Sequence, residues 1–164
     1  MATGNTLAVF TAVGGAYPSS NYATPDLRNA HPVLDFDAST EESCYFEGVL
    51  PDTYAGGGLT VELYWMATSA TSGDVKWGGS IERMHSNGDD LDSDSFASEQ
   101  TDTTTTNGTS GKVTKSAITF SSGSNMDSLA AGEPFRLKVA RKAADVADTM
   151  TGDAELSRIV VKET

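Results

Sequence analysis

The chain has 164 residues, with 23 Asp and Glu against 11 Lys and Arg, and a formal net charge of -12 at pH 7. That excess of acid repels phosphate and excludes a nucleic-acid backbone as the main partner. The length suits one domain with a full core that needs no metal or disulfide staple, and no apolar stretch approaches a membrane span.

Short β-type runs closed by Gly, Ser, Thr, Asn or Asp follow one another along the chain. Leu7 to Val13 is a β-branched and small-residue run ending at Gly14-Gly15, and Tyr17 to Asp26 reads as loop. Pro32 to Asp37 alternates and predicts a second strand; Ser43 to Leu50 predicts a third, stopped by Pro51-Asp52. The clearest run, Leu59 to Met66, puts Leu59, Val61, Leu63 and Trp65 on one face and Thr60, Glu62 and Tyr64 on the other.

Asp74 to Met84 alternates with Val75, Trp77 and Ile81 on one side, and Gly78-Gly79 predicts a bulge or a close contact across the sheet. This fifth strand is expected to pair with the fourth through Thr68 to Gly73. Ser95 to Thr106 and Lys112 to Ser121 are expected to form a polar hairpin through Asn107 to Gly111, with Ile118 and Phe120 inward. Asn125 to Leu129 reads as a short helical turn. Pro134 to Arg141 predicts a strand with Phe135, Leu137 and Val139 facing the core, and Leu156 to Lys162 predicts the last strand. About eight strands in one domain predict an all-β fold, an antiparallel two-sheet β-sandwich with jelly-roll connectivity. An immunoglobulin-like sandwich is the alternative, without its pair of cysteines around a tryptophan.

Few residues invite chemistry. Cys44 lies among apolar and aromatic neighbours, as a buried free thiol would, rather than in a nucleophile motif. Between Arg83 and Lys112 the chain carries Asp89, Asp90, Asp92, Asp94, Glu99 and Asp102 with no Lys or Arg. Asp90, Asp92 and Asp94 alternate as in a calcium loop, but Ser95 and Thr101 stand where that loop wants Gly and Glu, so a solvated acidic turn is the plainer reading. Glu47, Glu62 and Glu82 lie on strands, and a facing pair would divide the acid and nucleophile roles of a glycosidase. The ordinary expectation puts Glu62, Glu82 and Lys76 on the outer face of one sheet, paired with cations. His31 and His85 are isolated, and Asn107-Gly108-Thr109 matches a glycosylation sequon but reads as loop chemistry. Tyr45, Tyr64, Trp65 and Trp77 are candidates for a carbohydrate-stacking platform; the tryptophans share the inward phase of their strands, which leaves Tyr64 the better surface candidate. No catalytic, cofactor-binding or metal-binding residue is assigned, and no cofactor is expected.

Three segments, Gly48 to Trp77, Thr106 to Lys115 and Ala131 to Arg141, the last followed by Asp148 to Ala154, resemble small structural proteins of tailed bacteriophages and related prophages. The resemblance covers residues 30 to 164 and brings no catalytic residues with it. It implies a virion structural role, best matched by a capsid decoration (cement) protein that bridges capsomers. The expected partners are the major capsid protein and further copies of the chain, as a homotrimer, with no nucleic acid and no membrane. The expected location is the capsid surface, after synthesis in the host cytoplasm, since Met1 to Leu7 lacks the features of a secretory signal. Residues 1 to 29 match least and are expected to form an N-terminal strand and an extended arm docking on a neighbour, with residues 30 to 164 as the sandwich domain. The alternative is a tail or head fibre module that recognises a surface glycan; a polysaccharide-cleaving enzyme ranks below both.

Overall fold

The structure, a computed structural model, describes residues 4–164. Ten strands form it: β1 (Thr6–Thr11), β2 (Thr24–Arg28), β3 (His31–Phe36), β4 (Glu42–Val49), β5 (Leu59–Ala67), β6 (Asp74–Arg83), β7 (Gln100–Thr105), β8 (Thr114–Phe120), β9 (Pro134–Arg141) and β10 (Ala154–Glu163). Two single 3-10 turns, Ala12–Gly14 and Ser124–Met126, are the only helical elements among the described residues, and no helix is long and apolar enough to cross a membrane.

The strands make two antiparallel sheets. One runs β2-β3-β10-β5-β8, with β1 sharing the β10 edge that β3 also uses; the other runs β4-β9-β6-β7. From β3 onward every connection crosses between the sheets except the one from β6 to β7. The eight strands β3 to β10, ordered β3-β10-β5-β8 over β4-β9-β6-β7, make the jelly roll that the sequence predicts. Alternation fills the space between the sheets. Leu59, Val61, Leu63, Trp65, Ile118, Phe120, Ile159 and Val161 come from the larger sheet and meet Phe46, Val75, Trp77, Ile81, Phe135, Leu137 and Val139 from the smaller.

Two expected hairpins are absent. β5 and β6 lie in opposite sheets, and Trp65 and Trp77 meet edge-on across the core with ring centroids 5.9 Å apart. β7 and β8 likewise belong to different sheets, because β6 and β5 claim them as partners. Their edges are instead stitched by side chains. Trp65 Nε1 donates to Ser116 Oγ (2.9 Å), Ser116 Oγ to Thr104 Oγ1 (2.9 Å) and Thr104 Oγ1 to Asp102 Oδ2 (2.8 Å). Asp102 also accepts the Ala117 amide at 3.1 Å, so the polarity of this stretch seals one side of the sandwich. The β6–β9 register runs without a shift, so Gly78-Gly79 is not a bulge but a close contact. A Cβ on Gly79 would lie 3.0 Å from Phe120 Cζ and 3.2 Å from Ile118 Cδ1, atoms of the opposite sheet. The one register shift in the β5–β10 ladder falls between Leu156 and Arg158.

The stretch read as loop from Tyr17 to Asp26 contains the start of β2, which pairs with β3 through the turn Asn29-Ala30. The expected domain boundary therefore falls within this β2–β3 turn. Residues 1–3 of the expected arm lie outside the described residues. The rest follows the sandwich: β1 pairs with β10, Phe10 packs against Phe46 and Phe135, and Ala16 and Tyr22 bridge to Tyr45 and Ser43 of β4.

Arg141 continues the inward phase of β9 and is fully buried. All five of its N–H groups are used: Nε and Nη2 grip the Asp148 carboxylate at 3.1 and 2.8 Å, and the guanidinium also donates to the carbonyls of Phe36, Met150 and Gly152. This one side chain ties the β9–β10 connection to the end of the sandwich.

Candidate functional site

Alternation puts Ser43, Tyr45 and Glu47 of β4, Arg136, Lys138 and Ala140 of β9, and Gly78, Ser80 and Glu82 of β6 on the outer face of the four-stranded sheet. Tyr45 stands opposite Lys138, which stands opposite Ser80; Glu47, Arg136 and Glu82 form the next row. The long β6–β7 connection turns back over this face. Its Phe96, the one large aromatic of that polar stretch, sets its ring centroid 5.4 Å from that of Tyr45. The Arg136 guanidinium lies 4.9 Å from the Tyr45 ring and 4.8 Å from the Phe96 ring, within cation–π range of both. Beneath it, Arg136 donates to the carboxylate of Glu82, whose residue is only 2 % exposed. Lys142 joins Glu41 to Glu99, and the Glu99 carboxylate lies over Gly78, where a Cβ would come within 2.7 Å.

Next to Tyr45 this face opens into a polar cleft of about 260 Å³, lined by Asn21, Glu41, Glu42, Ser43, Tyr45 and Lys138. Lys138 has no ion-pair partner among the described residues. Burial holds Glu42 above the ordinary glutamate value. The exposed rings of Tyr17 and Tyr22 pack on each other with centroids 5.5 Å apart; Tyr22 bridges to Ser43, while Tyr17 lines a separate cavity with Ala12, Val13 and Pro25. An aromatic ring, an amide, hydroxyls, carboxylates and an ammonium thus converge, the combination that pairs with the hydroxyls and apolar face of a pyranose.

The other sequence candidates are scattered. Trp65 and Trp77 are core residues. Tyr64 faces outward from the six-stranded sheet and donates its hydroxyl to Glu62 at 2.8 Å. Burial pushes the Glu62 carboxyl up, but hydrogen bonds from Lys115, Lys162 and Tyr64 outweigh it and hold the group below the ordinary glutamate value. Glu62 and Glu82 do not share a sheet: they lie on opposite outer faces with the core between them, so the expected common face is corrected and the two cannot flank one glycosidic bond. Cys44 is buried, its Sγ lies 3.2 Å from the Ala16 carbonyl, and burial raises its thiol to about 12, far from the range of a nucleophilic thiolate.

His31 begins β3, whereas His85 lies within the β6–β7 connection and meets Glu133, so the two histidines belong to different elements. In the acidic tract Asp89 pairs with Arg83, Asp90 accepts the Asp92 amide and Asp94 the Ser95 amide. Among the described residues no three His, Cys, Asp or Glu side chains are placed to hold a metal ion. Phe96 and Arg136 are the residues that sequence reasoning missed. The signal for both was available: a lone aromatic in a polar run, and an outward-phase arginine on a strand whose other face is apolar.

Asp35 of β3 feels four other carboxylates, from β2, β4, β10 and the residue before β10. Burial first, then the charges of Asp153, Glu155, Asp26 and Glu42, push Asp35 up to about 6, and its Oδ1 has no hydrogen-bond partner. An unfolded Asp titrates near about 3.9, so between these values the folded chain holds the proton more tightly. Stability therefore falls as pH rises from about 4 to about 6, and above that the penalty is complete. Asp35→Asn is expected to be more stable than wild type by about 1 kcal/mol near neutrality, a figure reduced for solvent screening, and equal to it near pH 4. Urea unfolding at both pH values checks this; a gain of equal size at both would show that the charge is not the cause.

No protein-family model matches the chain, and no curated protein sequence matches it. Solved structures do. The chain superposes on the CBM22-1 xylan-binding domain from Paenibacillus barcinonensis with a TM-score of 0.52 at 12% identity, covering 99% of this chain and 97% of that one. The CBM22-2 xylan-binding domain of the same organism gives a TM-score of 0.53 at 16% identity, with 92% of each chain covered. The CBM22-1 and GH10 modules of Clostridium thermocellum endo-1,4-beta-D-xylanase 10B, complexed with xylohexaose, match at a TM-score of 0.52 and 12% identity, over 100% of this chain and 29% of that one. At these identities the likeness shows the fold: a two-sheet β-sandwich of the kind these carbohydrate-binding modules use.

Proposed function

We propose that the chain is a non-catalytic glycan-binding module, and that the ligand lies on the outer face of the β4-β9-β6-β7 sheet against Tyr45. The observation that carries this is the polar cleft in which Tyr45, Asn21, Ser43, Glu41 and Lys138 converge beside the Tyr45–Arg136–Phe96 stack. The fold supports it, being shared with domains described as xylan-binding. The non-catalytic reading rests on the separation of Glu62 from Glu82, on the engagement of Glu82 by Arg136, and on the high pKa of Cys44.

Tyr45→Ala removes the ring while leaving the core untouched. Its affinity for whichever polysaccharide wild type retains in affinity gel electrophoresis, with soluble xylan and bacterial surface polysaccharides as probes, is expected to fall at least about tenfold. Retention by none of these, or equal retention of the variant, would remove the proposal.

The phage resemblance of residues 30 to 164 favours a second reading on which the same module is part of a virion, decorating the capsid as a homotrimer on the major capsid protein. Quantitative mass spectrometry of purified particles separates the cases. About one copy per capsid subunit supports decoration, a few dozen copies a glycan-recognising appendage, and absence removes the virion from either reading.

A further inference from the structure

The outer face of the six-stranded sheet carries a trough unrelated to the Tyr45 cleft. A cavity of about 510 Å³ among Arg28, His31, Val33, Met66, Val113 and Ser157 runs into one of about 320 Å³ walled by Tyr64, Arg158 and Val160, with Val113 and Ser157 common to both. Its floor is apolar, and Val113 is 57 % exposed there. Its rim is basic. Arg28 and Lys115 stand at its edges, each paired with a carboxylate largely sunk in the sheet, Glu155 and Glu62, while Arg158 and Lys112 are exposed and have no ion pair among the described residues. On a chain of net charge -12, a basic-rimmed apolar trough is out of character with the rest of the surface.

The complement is present on the same chain. Leu91 is 63 % exposed at the tip of the β6–β7 connection, between Asp90 and Asp92. The turn that presents it is closed by the Ser93 and Asp94 amides donating to the Asp90 carbonyl at 2.9 and 2.8 Å, and by Asp89 pairing with Arg83, so the leucine is held out rather than loosely tethered. It cannot reach its own trough. The connection leaves β6 at Arg83, opposite Phe135 at the start of β9, whereas Val113 and Ser157 flank Thr114 and Leu156 at the other end of the sandwich, where β5 hands over to β6.

We propose that copies of this chain associate head to tail, the acidic-collared Leu91 of one inserting into the basic-rimmed Val113–Arg158 trough of the next. Contacts of this kind join two different patches and close into a ring when the rotation between copies permits. The apolar knob and floor supply the attraction, the opposite charges fix which end meets which, and like faces repel. The trough itself lies on the sheet opposite the one that carries the Tyr45 cleft.

Sedimentation velocity from about 1 to about 200 µM tests this, each variant first checked for an unchanged melting temperature. Wild type is expected to gain mass with concentration, and to do so less in high salt. Leu91→Asp and Arg158→Glu are expected to weaken association at least about tenfold, and adding Asp92→Arg to Arg158→Glu to restore part of it by reversing both charges. A wild type that stays a single chain throughout, a Leu91→Asp variant that associates as wild type does, or a double reversal no better than Arg158→Glu alone would each overturn the proposal. Association lost with Arg158→Glu but kept with Leu91→Asp would mean that something other than this loop fills the trough.

Discussion

Arg141→Met is expected to cost about 3 to 5 kcal/mol of unfolding free energy, measured by urea denaturation near neutral pH, the range for breaking a buried ion pair on one side. The side chain of Asp148 is only 1 % exposed, and without Arg141 it keeps a charge but loses its counter-ion. The Lys76 amide, at 3.0 Å from Asp148 Oδ2, is too little to replace it. The carbonyls of Phe36, Met150 and Gly152 lose their donor in the same step, and each buried acceptor left unpaired adds to the cost. Arg141→Lys keeps the charge but offers three donors on a point-like ammonium, and is expected to fall between wild type and the methionine variant. Adding Asp148→Leu to Arg141→Met removes the stranded carboxylate, and should recover part of the loss. A cost below about 1 kcal/mol for Arg141→Met would show that water reaches Asp148 and that the buried-pair account is wrong.

Strand faces were legible in the sequence because a period of two says which residues point inward whatever the partner strand is. Leu59, Val61, Leu63 and Trp65, or Phe135, Leu137 and Val139, needed nothing else. The same period says nothing of which sheet a strand joins. A six-residue connection such as Thr68 to Gly73 serves a hairpin and a crossing over the end of a sandwich equally well, and the crossing wins here because it brings Trp65 and Trp77 edge-on against each other across the core rather than side by side in one sheet. The error over Glu62 and Glu82 follows from that one: once β5 and β6 part, their outer faces look in opposite directions. β2 stayed hidden because Thr24-Pro25-Asp26-Leu27-Arg28 is an exposed edge strand with proline and no buried alternation. The candidate site was half legible. Tyr45 was singled out as an aromatic, but its companions come from the β6–β7 connection and from β9, and no spacing along the chain brings Phe96 and Arg136 to it. Arg141 was within reach, since the alternation of β9 carried on by two residues from Val139 places it inward.

Arg136→Leu is expected to be nearly as costly as Arg141→Met, at about 3 kcal/mol or more, while Glu82→Leu costs about 1 kcal/mol, although both break the same ion pair. The asymmetry follows from burial. Glu82 is closed in beneath the returning connection, so losing Arg136 leaves a carboxylate that water cannot reach, whereas the Arg136 side chain is 31 % exposed and can turn to solvent when Glu82 is gone. The double variant, apolar on both sides, is expected to return near wild-type stability, and the coupling in the cycle measures how much of the single-variant loss was the stranded charge. Equal costs for the two single variants would mean that the connection opens and wets Glu82. The same cycle read by affinity electrophoresis bears on the glycan proposal: a stable double variant has lost the cation between the Tyr45 and Phe96 rings. A drop in retention would then make Arg136 a positioning residue for Tyr45, while undiminished retention would assign the ion pair to stability and leave recognition to Tyr45 and the cleft beside it.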